Sequence, residues 1–352
     1  MIYLSKGAST LYSSLLRRNQ NAELSNALSR AEQELSTGYK SDIYKSIGLG
    51  ATEALSLNAR LDRDEAQSAA NALTLSRIEM TTEALGSMRE SVQEALDLAV
   101  ANSEHSANGV TGVQIAARAA LDALIGHSAQ AYSGMSLFSG TVNVTSALQP
   151  WGQAQSDSGL SPEGVLAGLL SGGLNSAADA DAVLAEIDAI FSDTAADPAT
   201  NYQSLFYNGS VGNARQRANL GDGVSVAYGV QADDEAFRQV VKGLILLVAQ
   251  DPAEIGDGEA YNTWMGAAVK ALSGGVTGLL ETETQVSTVA ARLETENEKI
   301  ADRAVLYKTR LMELDGVDAY EAASNVTLLQ TQLEASYTVT ARLSQLSFLN
   351  YM

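Results

Sequence analysis

The 352-residue chain contains no cysteine. Disulfides, thiolate zinc sites, iron–sulfur clusters and a cysteine nucleophile are therefore excluded. Histidine is nearly absent as well: His105 and His127 are the only two, so a three-histidine zinc site is arithmetically impossible. Four prolines leave long helices almost uninterrupted. Aromatic residues make up only 6% against a hydrophobic fraction of 45%, so the core must be filled by Ala, Leu and Val. Basic charge is scarce too. Lys and Arg number 22 against 42 Asp and Glu, a net charge of −20. Such a balance argues against binding nucleic acid or an anionic membrane surface, both of which need a basic face. No apolar run spans a bilayer: the longest, Gly243-Leu-Ile-Leu-Leu-Val-Ala249, is about a third of the ~20 residues required. The residues from Met1 to Gly7 show no Sec-type signal, so the expectation is a cytoplasmic protein or one exported by another route.

What charge there is lies unevenly. Residues 1–45 carry 6 basic and 4 acidic groups, and residues 315–352 carry 1 and 4. The intervening 46–314 carry 15 and 34. Self-repulsion is thus concentrated in the middle, and the two ends can approach each other, or copies of themselves, at little Coulomb cost.

Both ends have coiled-coil spacing. Leu4, Ala8, Leu11 and Leu15 step by 4, 3 and 4, and Leu24, Leu28, Ala31 and Leu35 repeat the pattern after a phase shift near Arg17. Gly38 predicts the helix end. At the other terminus Asp318 predicts a helix start, and Val326, Leu329, Leu333, Leu343 and Leu346 form one stripe, with Ser336 and Thr340 filling the steps between. A stripe of this kind requires a partner.

Upstream, Leu272, Val276, Leu279, Glu283, Val286, Ala290, Leu293, Asn297, Ile300, Ala304, Tyr307, Leu311 and Leu314 alternate 4 and 3 over 43 residues, broken only by Glu283 and Asn297. The glycines at 274, 275 and 278 weaken the start of that helix. The N-terminal half mirrors it: Ile78, Leu85, Met88, Val92, Ala95 and Ala99 keep one heptad frame within a proline-free 46–101. A shorter helix is predicted over about 111–131, after a break at Asn108-Gly109.

Residues 132–230 hold three of the four prolines and are rich in Gly, Ser, Asn and Asp. Strand alternation is predicted at 203–207 and 224–228, the latter opened by a Gly221-Asp-Gly223 turn, with a short helix over 180–191 and helix resuming near 234–249. The expectation is therefore a mainly α protein: a long antiparallel coiled-coil-like helical bundle formed by N- and C-terminal segments, with an inserted small α+β module. Its expected domains are 1–44 with 315–352 (terminal, helical, for assembly), 45–141 with 233–314 (helical rod) and 142–232 (inserted, outer). On this division, removing 142–204 should leave assembly intact.

Catalytic signals are missing. The paired acids, such as Asp179/Asp181 and Asp233/Asp234/Glu235, lack calcium-loop spacing and read as solvated surface charge. His127 has no acid within a helical turn, and no orienting partner can be named for either histidine. No Walker A, G-x-S-x-G or H-E-x-x-H motif occurs. The expectation is a non-enzyme without metal or cofactor.

Several segments carry a resemblance. Ser25-Asn-Ala-Leu28, Glu34-Leu-Ser-Thr-Gly-Tyr-Lys40 and the run from Leu333 to Met352 resemble the bacterial flagellins and their relatives at the hook–filament junction. So do Ser136-Leu-Phe-Ser-Gly-Thr141, Tyr207-Asn-Gly209, Gly221-Asp-Gly-Val-Ser-Val226 and Glu235-Ala-Phe237. The ending Leu346-Ser-Phe-Leu-Asn-Tyr-Met352 is more similar to the junction proteins than to the filament subunit. The resemblance implies an extracellular structural subunit exported through the flagellar type III channel. It implies self-assembly into a ring, with the first hook-associated protein and flagellin as neighbours and an export chaperone as a possible partner. Contacts would be made through Leu4, Leu11, Leu15, Leu24, Leu28, Leu35, Val326, Leu329, Leu333, Leu343 and Leu346. The alternatives are the filament subunit itself and a type III-secreted coiled-coil interaction protein.

Overall fold

The computed structural model describes residues 6–42, 50–104, 112–212, 215–221 and 223–349; at 6–11, 13 and 343–349 it describes the helix alone. His105, the Asn108-Gly109 break and Leu4 lie outside these residues. The elements run α1 (Lys6–Thr37), α2 (Ala51–Ala101), α3 (Val113–Ser128), β1 (Ala131–Tyr132), β2 (Met135–Ser136), α4 (Pro162–Leu169), α5 (Ala177–Phe191), α6 (Tyr202–Leu205), β3 (Arg217–Asn219), β4 (Ser225–Ala227), α7 (Glu235–Ala249), α8 (Gly258–Asp315) and α9 (Ala319–Leu349). The protein is mainly α, with two small antiparallel hairpins, β1–β2 and β3–β4. Its contacts divide it into one unit of residues 1–66 and 299–352 and another of residues 67–298.

In the larger unit the heptad frames read from the sequence point inward. Ile78, Leu85, Met88, Val92, Ala95 and Ala99 of α2 are buried, as are Leu272, Leu279, Val286 and Leu293 of α8. The two helices run antiparallel. Asn71 meets Asn297 and Arg89 meets Glu283, so each polar break in the α8 stripe faces a polar partner on α2. The apolar α7 is a core helix: Phe237, Val240, Val241 and Leu244 to Val248 are buried. Leu246 O accepts from Trp264 Nε1 at 2.9 Å. Among the described residues, no helix is long and apolar enough to cross a membrane.

The structure corrects two expectations about elements. Residues 203–207 are not a strand. Tyr202 to Leu205 form one helical turn, because Tyr202, Leu205 and Phe206 sit at helical spacing and all three are buried among Phe191 and its neighbours. The 224–228 strand does form, pairing Ser225–Ala227 with Arg217–Asn219. The second correction concerns α8, which begins at Gly258 and passes unbroken through its glycines. There α7 lies so close that a Cβ on Gly275 would come within 2.7 Å of Val240 N. The helical cost of glycine is accepted in exchange for close packing of the two backbones.

The middle segment shares one hydrophobic core with the helices around it. Trp151, Leu166, Ile187, Phe191 and Tyr202 join Leu121, Phe237 and Leu244 in it. Loss of 142–204 would therefore empty part of the larger unit's core, so the segment is not an independent module.

In the smaller unit, the first turns of α2 pack on the last turns of α8 through Ala54, Leu61 and Leu311. Asp64 accepts from Arg303 Nε at 3.2 Å and Glu53 from Arg310 Nε at 2.8 Å, again in antiparallel order. Here α1 and α9 also lie against each other as an antiparallel pair.

Candidate assembly surface

The surface is built where the two ends of the chain meet. The helix α1 stops at Gly38, whose φ of 75° takes the chain out of the helix, and Gly38 N donates to Glu34 O at 2.8 Å. The chain then pairs with the turn between α8 and α9. Lys40 N donates to Asp315 O at 2.9 Å, Val317 N to Gly38 O at 3.0 Å, and Tyr39 bridges Gly316. Glu34 closes the elbow by accepting from Ser41 N and Oγ at 2.9 and 2.8 Å. Asp318 caps α9, its Oδ1 accepting from Tyr320 N at 2.8 Å. The motif Glu34 to Lys40 is thus an elbow that sets α1 beside α9. Ser336 Oγ meets Asn21 Oδ1 farther along the pair.

Electrostatics suit close approach. The smaller unit carries 13 basic and 14 acidic residues, and the larger one 9 and 28. Arg310, between Glu53 and Glu313, is held in its charged form by both carboxylates, Glu53 foremost. At the elbow, burial pushes the Asp315 carboxyl above its ordinary range; Lys40 opposes the shift and Glu34 adds to it.

The stripe residues divide. Val326 is buried, and Leu24, Leu28, Leu329 and Leu333 are half-buried, so part of the stripe serves the contact within the chain. Leu15 and Leu35 remain 55% and 40% exposed. Leu11, Leu343 and Leu346 lie on described helix, but their side chains, like Leu4, are outside the described residues. Large apolar side chains the periodicity missed are also open: Tyr12, Leu16, Leu328, Tyr337 and Val339 point to solvent. Between α1 and α9 an open groove of about 560 Å³ is lined by Gln20, Glu23, Leu24, Ala27, Arg30 and Ser336. The missed residues lie off the a/d frame, and their signal was large side chains where a two-helix pair needs none.

The internal motifs converge elsewhere, in the larger unit, as a structural knot. Phe138 O accepts from Ala232 N and Ser139 O from Ser210 N, each at 2.9 Å. Gln216 Nε2 reaches Gly140 O at 3.0 Å, and Phe138 lies 5.7 Å from Phe237. Gly209 has no room for a side chain, since a Cβ would stand 2.7 Å from Ser139 O. His127 is half-buried beside Gln130, which lies 3.1 Å from its Nδ1. Among the described residues no three potential metal ligands cluster.

A helical scaffold whose two chain ends pair and leave apolar side chains bare defines a structural, self-associating protein. Residues 8–143 match the bacterial flagellin N-terminal helical region and residues 269–352 the bacterial flagellin C-terminal helical region. Together these matches take in more than half of the chain, which belongs to the flagellin family. A solved structure from Vibrio parahaemolyticus, described as a provisional flagellar hook-associated protein, has the same fold at a TM-score of 0.52. It is 12% identical, and the match covers 77% of this chain and all of that one. No curated protein sequence matches the chain. As a family member the protein is a structural component of the extracellular flagellum and not an enzyme. Proteins of this kind self-assemble and associate with other axial components.

Proposed function

We propose that the protein is an adaptor at the hook–filament junction, assembled as a ring through its terminal helices. The observation that carries this reading is the set of bare apolar side chains on the α1–α9 pair, with Leu15 and Tyr12 55% and 70% exposed on a unit close to charge balance. In a lone subunit such side chains are a liability, and neighbouring copies would cover them. The junction, rather than the filament, is favoured by the motif Leu346-Ser-Phe-Leu-Asn-Tyr351 and by the likeness in fold to the Vibrio hook-associated protein. Leu4, Leu11, Leu15, Leu24, Leu28, Leu35, Val326, Leu329, Leu333, Leu343 and Leu346 would hold the terminal helices to each other and to those of neighbours. The partners would be further copies, the first hook-associated protein and flagellin, with an export chaperone beforehand. Export would follow the type III route. The domain scheme proposed with this function keeps 1–44 and 315–352 for assembly, 45–141 and 233–314 as a rod, and 142–232 facing outward.

A filament subunit is the second reading, favoured by matches to both flagellin regions. Electron micrographs separate the two: purified protein is examined alone in precipitating salt and after mixing with isolated hooks carrying the first adaptor. Decoration at one hook end without free filaments is expected. Long filaments from the protein alone would overturn the junction role in favour of the filament subunit.

A further inference from the structure

We propose that a four-residue polar layer, Gln67, Asn71, Asn297 and Asn219, is a latch that selects one alignment of α2 on α8 and ties the β3–β4 hairpin to it. Heptad stripes are degenerate by construction. Sliding α2 along α8 by seven residues brings apolar side chains back opposite apolar side chains, so the stripes alone leave the alignment poorly determined. The interruptions remove the degeneracy. Asn71 is 2% exposed, and its Nδ2 donates to Asn297 Oδ1 at 2.9 Å. Shifted by one heptad in either direction, Asn71 would face Ala290 or Ala304 and Asn297 would face Ile78 or Asp64, and the amide–amide bond would be lost. Leaving a buried amide unpaired costs about 1–3 kcal/mol, more than the partly exposed Arg89–Glu283 pair at the other break contributes, and the apolar positions would register little difference. A polar pair on a coiled-coil seam commonly trades stability for a single register in this way.

The layer reaches beyond the two helices. Gln67 Nε2 donates both to Asn71 Oδ1 and to Asn219 O, each at 2.7 Å. Asn219 is the last residue of β3, and its Oδ1 accepts from Gly221 N at 3.0 Å, shaping the turn that follows. Gly221 lies beside the Glu296 side chain of α8, since a Cβ on Gly221 would stand 3.8 Å from Glu296 Oε1. A continuous chain of amides therefore runs from α8 through α2 to the hairpin at one level of the seam. The hairpin can seat fully only when the helices are correctly aligned. The latch is independent of where in the flagellum the subunit sits.

The absence of native cysteine makes the test clean. Nitroxide labels at L73C and E294C, both on exposed side chains, report the alignment by electron–electron distance. The native layer is expected to give one narrow distance. The variant N71L/N297L is expected to unfold at higher urea yet show a second population, displaced by a heptad, about 10 Å along the axis. A second variant, Q67M, cuts the strut to the hairpin together with the Gln67–Asn71 bond, and leaves the Asn71–Asn297 bond across the seam in place. It is expected to keep the single distance while hydrogen exchange across 217–227 quickens by up to about tenfold. A single unchanged distance in N71L/N297L, or unchanged exchange at the hairpin in Q67M, would overturn the latch. Should N71L/N297L fail to fold, Q67M alone decides.

Discussion

At the scale of the residue, two adjacent glycines on α8 make opposite demands. A Cβ on Gly275 would press on the Val240 backbone, whereas one on Gly274 would meet nothing within 4 Å. G274A should therefore stabilise the larger unit by about 0.5–1 kcal/mol through helix propensity. G275V should destabilise it by about 1–3 kcal/mol through overpacking against α7. Urea titration of both variants checks the contrast. Asp233 supplies a pH-dependent counterpart. Burial first, and then Asp234, raise its carboxyl above the ordinary 3.8, against the pull of Arg238. The folded state thus holds this proton more tightly than the unfolded chain. The stability it contributes is full below the ordinary carboxylate value and is lost as pH rises through the raised one. D233N, which cannot ionise, should shift the urea midpoint upward at pH 7 and leave it unchanged at pH 3. An equal midpoint for both proteins at pH 7 would contradict the assignment. Neither effect could be read from the sequence. Gly274 and Gly275 look alike there, and Asp233 looks like one more surface acid until Tyr202, Gln203 and Arg238 are folded around it.

At the scale of the element, legibility followed periodicity. The 4–3 spacing of Leu272 to Leu314 and of Ile78 to Ala99 identified α8 and α2 and the faces they bury, because one packed surface running along a helix imposes a repeat on the sequence. The elbow was legible as a motif, but the role of Glu34 as acceptor for Ser41 was not, since it depends on backbone direction after Gly38. Where burial comes from all sides, periodicity fails. Leu205, Phe206 and Tyr207 are buried in succession, and the run 203–207 therefore reads as a strand although its first residues lie in a helical turn. The same mixing explains why 142–204 looked detachable. Its composition differs from that of its flanks, yet Trp151, Ile187 and Phe191 complete their core. A protein lacking 142–204 should lose cooperative thermal unfolding of the larger unit and become protease-sensitive. A sharp melting transition retained in that deletion would contradict the shared core.

At the scale of the whole molecule, charge and apolar surface are divided between the units. The larger unit, with 28 acidic and 9 basic residues, repels its copies, and the smaller one, with 14 and 13, does not. Assembly should accordingly strengthen as salt rises from about 10 mM to 150 mM, over which the screening length falls from about 30 to 8 Å. Sedimentation across that series checks the trend, and polymer that dissolves on adding salt would contradict it. The central claim is that the two chain ends form the assembling surface and the larger unit is scaffold. The variant L333D tests it most directly. Leu333 is half-buried on α9, and both tryptophans, Trp151 and Trp264, are buried in the larger unit and report its integrity. Sedimentation and electron microscopy of L333D with isolated hooks carrying the first adaptor, alongside its tryptophan fluorescence, should show no polymer and no decorated hooks while the fluorescence stays native. Assembly of L333D indistinguishable from that of the unmodified protein would contradict the claim.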